Sequence, residues 1–145
     1  TEELSDYAVE FEFSLPPGGN SGFFLRPPLS GNPAWEGMEI QILDDASPTY
    51  AKLRPDQYCA GIYGMVGADP RVSRGAGEWQ QMRILCIDRL VSVWLNGRHV
   101  AQADLEQHMD KADKIRGLRQ KSGFPGLQNE HGPIEFRSVR MKRLD

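Results

Sequence analysis

The 145-residue chain has the length of one domain, enough for a sizeable core. Its 39% hydrophobic and 26% charged residues exclude a disordered tail, and no apolar run reaches the ~18 residues that a membrane-spanning helix needs. The 17 basic and 20 acidic residues leave a net charge of −3, which argues against an electrostatically driven nucleic-acid binder, while 15 glycines and 10 prolines favour a turn-rich β protein.

In chain order, Tyr7, Val9, Phe11, Phe13 and Leu15 alternate with other residues and predict a half-buried strand over 7–15, closed by Pro16-Pro17-Gly18-Gly19. A second strand is predicted over 21–26, with Ser21, Phe23 and Leu25 on one side and Asn20, Gly22, Phe24 and Arg26 on the other. A Pro/Gly/Asn-rich loop leads to a third strand over 38–44, where Met38, Ile40 and Ile42 oppose Glu39, Gln41 and Leu43. Residues 45–58 read as an irregular loop and 60–65 as a short strand. Strands follow over 79–87 and 90–95, and Asn96-Gly97 is the strongest hairpin signal in the chain, leading into 99–103. Residues 104–121 are polar with no broad apolar stripe, so they predict a short helix or structured loop capped by Asp104. The last strands fall at 126–128 and 134–141, with a phase slip between Phe136 and Val139 that reads as a β-bulge. With no linker or repeat, 1–145 reads as a single all-β domain, an antiparallel two-sheet sandwich.

The face opposite the core phase carries Asn20 and Arg26 on one strand and Glu39 and Gln41 on the next, with Gln128 and Arg137 on comparable later strands. A solvated sheet face is the ordinary explanation of such a pattern. The residue types point further: amides, a carboxylate and arginines beside Phe24 suit a groove for sugar hydroxyls, where paired hydrogen bonds orient the ring and an aromatic covers its apolar side. Trp35, in the Pro/Gly loop, is the candidate stacking residue; Trp79 and Trp94 sit in strands and read as core.

Other chemistry finds little support. His99, His108 and His131 lack ligand spacing, and Ser21 lacks the context of an activated nucleophile. Asp44-Asp45 opens a loop and reads as a turn device rather than a cation site. Cys59 and Cys86 read as two buried free thiols; a disulfide between them stays open if the protein is exported. The sequence calls for no cofactor and does not decide a divalent metal.

Seven segments occur in order: Asn20-Ser-Gly-Phe-Phe-Leu-Arg26, Gly37-Met-Glu-Ile-Gln-Ile-Leu-Asp-Asp45, Gly61-Ile-Tyr-Gly64, Gly77-Glu-Trp79, Trp94-Leu-Asn-Gly97, Gly126-Leu-Gln128 and Gly132-Pro-Ile-Glu-Phe-Arg-Ser-Val-Arg140. Their succession resembles the 3-keto-disaccharide hydrolase domain family, long carried as a domain of unknown function. The resemblance implies a concanavalin A-like, laminin-G-like jelly roll of two antiparallel sheets. It implies a bacterial protein, periplasmic or secreted, whose partner is a sugar or oxidised glycoside. The family's polar strand residues fall on Asn20, Arg26, Glu39, Gln41, Gln128 and Arg137. Members of the family begin with roughly two more strands upstream, and a jelly roll commonly has about 8. If such strands are missing here, the sheet edges stand open to oligomerisation. Many members carry His-Gly directly after Gly-Leu-Gln, whereas Asn129 and Glu130 precede His131-Gly132 here, so His131 receives little weight.

The enzyme reading is cleavage of a 3-keto-glycoside by hydrolysis or elimination. The ketone acidifies the C2 proton, Glu39 is the groove carboxylate to remove it, and Arg26 or Arg137 would stabilise the enolate. Asn20, Phe24, Gln41, Gln128 and Trp35 would bind the sugar. The rival readings are a non-catalytic carbohydrate-binding module and a domain that docks a partner strand on an open sheet edge.

Overall fold

The computed structural model describes residues 2–129 and 132–145, with the side chain of Trp35 outside that description. Two antiparallel sheets face each other. The first contains β1 (Tyr7–Ser14), β4 (Gln80–Ile87), β5 (Leu90–Leu95), β6 (Arg98–Asp104) and β8 (Glu135–Arg143), in the order β6-β5-β4-β1-β8. The second contains β2 (Asn20–Phe24), β3 (Glu39–Leu43) and β7 (Gly126–Leu127), in the order β3-β2-β7. One short helix, α1 (Pro33–Glu36), interrupts the loop between β2 and β3; Asn32 caps it by accepting from the Ala34 N–H, and Pro33 stands where no N–H is needed.

Alternation decides which face of each strand is buried. Tyr7, Val9, Phe11 and Phe13 of β1, with Met82, Ile84 and Cys86 of β4, meet Phe23, Ile40 and Ile42 of the smaller sheet, all essentially removed from solvent. Phe11 stacks on Phe23 at 5.9 Å between ring centres, and the Tyr7 hydroxyl donates to the Leu25 carbonyl at 2.6 Å. These contacts tie the sheets together and fix the smaller one with its opposite face outward.

The elements follow the sequence reading with shifts of a few residues at their ends. The register between β1 and β8 shifts between Glu10 and Glu12, and Ser138 adopts φ 53°, where the phase slip predicted a bulge. Residues 60–65 are not a full strand: Ile62 makes single bridges to Ile40 and Val66, since the segment turns back on itself at Met65. Residues 104–121 form two 3₁₀ turns, Leu105–Lys111 and Arg116–Arg119. Helix α1 was not anticipated, because its four residues are too few to show a period.

Both tryptophans assigned to the core lie on the outer face of the larger sheet. Trp79 is half-buried beneath the Arg137 guanidinium, 3.7 Å from its ring centre, and Trp94 packs between Arg83 and His99. Each is in the strand phase opposite to Met82 and Val93, so burial comes from long polar neighbours rather than from the facing sheet. Cys59 and Cys86 are buried free thiols, and the disulfide does not form. Burial pushes Cys59 up to about 12 and Cys86 up to about 11.

Candidate functional site

Strand pairing on the smaller sheet arranges its outward residues in rows. Phe24 pairs with Glu39, and Gly126 pairs with Phe24 on the other side. Ile62 bridges Ile40, and the Tyr63 N–H donates to the Glu39 carbonyl at 2.9 Å, so Tyr63 extends this row beyond β3. The row thus reads Gly126, Phe24, Glu39, Tyr63. In the adjoining row Gly22 pairs with Gln41, the Gln128 N–H donates to the Gly22 carbonyl, and the Gln41 N–H donates to the Gly61 carbonyl. Asn20 opens a third row opposite Leu43.

Gly22 of the second row leaves a space that Glu39 uses, whereas the backbone of Asp56 fills the corresponding space at Gly61. A methyl at Gly22 would come within 2.9 Å of Glu39 Cδ, and closer still to Oε1. The carboxyl group therefore lies over the backbone of β2, flanked in the pleat by Phe24 and Gln41. Phe24 is only 6% exposed yet stands apart from the cluster that fills the space between the sheets. Its strand phase is outward, but its low exposure leaves little of the ring open to a ligand.

A cavity of about 230 Å³ opens beside Glu39, lined by Ala34, Gly37, Met38, Glu39, Tyr63 and Ile115. Its rim is built by close backbone approach. Gly117 lies so near Gly37 that a methyl on it would overlap the Gly37 carbonyl carbon, and Ile115 reaches across to Gly64, which takes φ 79°. An ion pair of 2.8 Å between Arg116 and Glu36 holds the same segment to α1. Tyr63 faces this cavity, and its oxygen accepts from Gln57 Nε2 at 2.9 Å. That bond leaves the phenolic proton to be donated elsewhere.

The sequence-derived candidates divide. Glu39, Phe24, Gln41, Gln128 and Asn20 share the outward face of the smaller sheet. Gln41 is nevertheless committed internally: it is buried, its Nε2 donates to the Gln57 carbonyl at 3.0 Å, and its Oε1 accepts from the Ile42 N–H. It anchors the loop that carries Gln57 rather than presenting an open amide. Gln128 is held by its backbone, since its carbonyl also accepts from Ser21 Oγ.

The two arginines are elsewhere. Arg26 is 1% exposed, donates through Nε and Nη2 to the Ser5 carbonyl at 3.1 and 2.7 Å, and lies 3.7 Å from Asp6. Beyond the end of β2 the alternation that aligned it with Phe24 no longer applies, and it turns toward Tyr7 and Cys86, where burial raises both groups and the Arg26 charge offsets only part of that rise. Arg137 belongs to β8 of the other sheet, on the face away from the core, where its Nε lies 3.2 Å from Glu12 and its guanidinium covers Trp79. It also holds the Glu12 carboxyl below its usual range. Neither arginine joins Glu39. The Trp35 side chain and His131 lie outside the described residues.

Asp44 and Asp45 are used as turn acceptors: Asp44 Oδ2 takes the Gly18 N–H, and Asp45 takes the Cys59 N–H and the Ser73 hydroxyl. Burial raises Asp45 above the ordinary carboxylate value. Among the described residues, no group of three or more His, Cys, Asp or Glu side chains is placed to hold a metal ion.

Tyr63, Gln57 and Ile115 were missed. Gly61-Ile-Tyr-Gly64 was visible as a segment, but nothing local indicates that Tyr63 lies opposite Glu39; Ile115 sits in a polar stretch where one apolar residue gives no period.

The curated "3-keto-disaccharide hydrolase" of Bacteroides thetaiotaomicron is 28% identical over 174 residues, covering 99% of this chain and 60% of that protein. The chain thus spans about 60% of the length of that relative. A crystal structure of a candidate glycosyl hydrolase from Parabacteroides distasonis superposes with a TM-score of 0.88 at 28% identity, over 99% of this chain and 80% of that one. The carbohydrate-binding module CBM66 of Bacillus subtilis shares the fold, with a TM-score of 0.64 at 12% identity over 98% of this chain and 78% of that one. Residues 1–142 match the family of 3-keto-α-glucoside-1,2-lyase-like domains, over nearly the whole chain and through both sheets described above. The chain belongs to that family.

Proposed function

We propose that the outward face of the smaller sheet binds a 3-keto-glycoside and cleaves its glycosidic bond, with Glu39 as the base at C2. The observation that carries this reading is the seat of the Glu39 carboxyl, over Gly22 and between Phe24 and Gln41, at the mouth of the cavity that Tyr63 lines. A sugar lying on this face sets its C2 proton against the carboxylate while Tyr63 and Ile115, which line the cavity, cover its apolar surfaces.

Glu39 takes the C2 proton, and the C–H electron pair becomes the C2=C3 bond of an enolate whose charge rests on the C3 oxygen. The Tyr63 hydroxyl, already an acceptor for Gln57, donates to that oxygen. Return of the pair forms C1=C2 and expels the anomeric oxygen with its electrons; the proton held by Glu39 neutralises the leaving alkoxide. Addition of water across C1=C2 then gives the hydrolysis product. Tyr63 takes the stabilising role that the sequence assigned to Arg26 or Arg137, since those two point elsewhere. Family membership supports the substrate class.

Turnover of a panel of 3-keto-glucosides by the wild type and Glu39→Gln, with and without divalent metal, tests the reading. Cleavage by the wild type that falls at least 100-fold in the variant, with sugar binding retained, is the expected result. Sugar binding without turnover by folded wild type would make the domain a carbohydrate-binding module. Undiminished cleavage by the variant would remove Glu39 from the mechanism.

A further inference from the structure

The outer face of the larger sheet, on the opposite side of the sandwich from Glu39, carries a row of charge and aromaticity that nothing above uses. Strand register aligns His99, Trp94, Arg83, Glu10 and Arg140 across all five strands. The next row is Gln102, Ser92, Leu85, Ala8 and Lys142, with its small and mid-sized residues at the centre. The low second row beside the tall first one makes a depression of about 250 Å³ around Ala8, walled by Glu10, Arg83, Arg140 and Lys142.

Three cations against one carboxylate surround this depression in a chain whose net charge is −3. Arg140 is 76% exposed, and its Nε stands 3.5 Å from Glu10, so the pair leaves most of the guanidinium open to a ligand. Arg83 is fixed from below by Trp94, 5.0 Å from its ring centre. Arg137, stacked on Trp79 and paired with Glu12, continues the basic stripe along β8.

We infer that this face is a second binding surface, for an anionic saccharide chain bearing carboxylate or sulfate groups. Arg83, Arg140 and Lys142 take the anionic groups, and Glu10 accepts hydrogen bonds from hydroxyls. Glu10 and Glu12 lie within the basic stripe and would repel a continuous phosphodiester backbone, which is why a saccharide, with acids and hydroxyls mixed along the chain, fits better than a nucleic acid.

The test is affinity electrophoresis and calorimetry of the 145-residue chain with heparin oligosaccharides, oligogalacturonate, neutral dextran, poly-glutamate and duplex DNA as separate probes. We expect binding to at least one of the two anionic glycans, the active one identifying sulfate or carboxylate as the recognised group. It should weaken with salt and fall at least tenfold in Arg140→Glu/Lys142→Glu. Both positions are exposed, and Arg83→Ser gives an independent variant on a central strand if the pair fails to fold. Glu39→Gln should bind these glycans as the wild type does. No binding to either anionic glycan, binding unchanged in the folded charge variants, or equal binding to poly-glutamate or DNA would overturn the inference.

Discussion

The Glu39 carboxyl occupies the space that a side chain at residue 22 would fill: a methyl there would lie 2.9 Å from Glu39 Cδ. The absence of a side chain on one strand thereby sets the position of a charged group on its neighbour. It also accounts for a glycine in the interior of a strand, where it would otherwise be unfavourable.

Gly22→Ala should therefore displace the carboxyl while leaving the fold nearly intact, because the flexible end of Glu39 can swing away. We expect a destabilisation of about 1 kcal/mol and at least a tenfold loss of 3-keto-glucoside turnover. Thermal melts and single-turnover kinetics on the same samples separate the two effects. Undiminished turnover would show that the seat over Gly22 is not the working position.

Arg26 is a structural residue by its contacts, so its removal should read as instability. Arg26→Ala leaves the part-buried Ser5 carbonyl without its guanidinium donors and removes the cation beside Asp6, which keeps the Asp88 N–H, and should cost about 2–4 kcal/mol. Molecules that remain folded should keep their specific activity. A loss of turnover with an unchanged melting temperature would return Arg26 to the chemistry.

The strap over the cavity depends on two glycine backbones in contact. Gly117→Ala places a methyl 2.6 Å from Gly37 Cα and must push the Ile115 segment outward, costing about 1–3 kcal/mol. Because Ile115 lines the cavity, KM should rise more than kcat falls, and steady-state kinetics would reveal the split.

Stability should fall as the solution becomes alkaline. The thiols of Cys59 and Cys86 are raised from 9.0 to about 12 and about 11 by burial, and Tyr7 is raised well above 10.0 for the same reason. The unfolded chain loses these protons first, so the contribution is complete below pH 9 and is lost between that value and the folded pKa. Urea midpoints followed from pH 8 to 11 should decline, more shallowly in Cys59→Ala. Below pH 9 the native thiols should resist a thiol reagent until the chain is unfolded.

Alternation alone identified the facing residues of β1, β2 and β3, because a period of two leaves no choice of face once Phe11, Phe23 and Ile40 must be buried. It also grouped Asn20, Phe24, Glu39 and Gln41 correctly, since these lie on neighbouring paired strands. What periodicity lacks is the identity of the sheet. Arg137 has the outward phase on its strand, yet that strand pairs with β1, and its outward side is the far side of the sandwich.

Family resemblance and strand phase were thus contained in the sequence by itself, along with the nomination of Glu39. Tertiary structure alone decided that Arg26 turns inward to the Ser5 carbonyl, that Gln41 serves the Gln57 loop, and that Tyr63 and Ile115 complete the cavity. Local pattern constrains a residue's own strand, but these positions depend on pairings between segments distant in the chain, which only folding brings together.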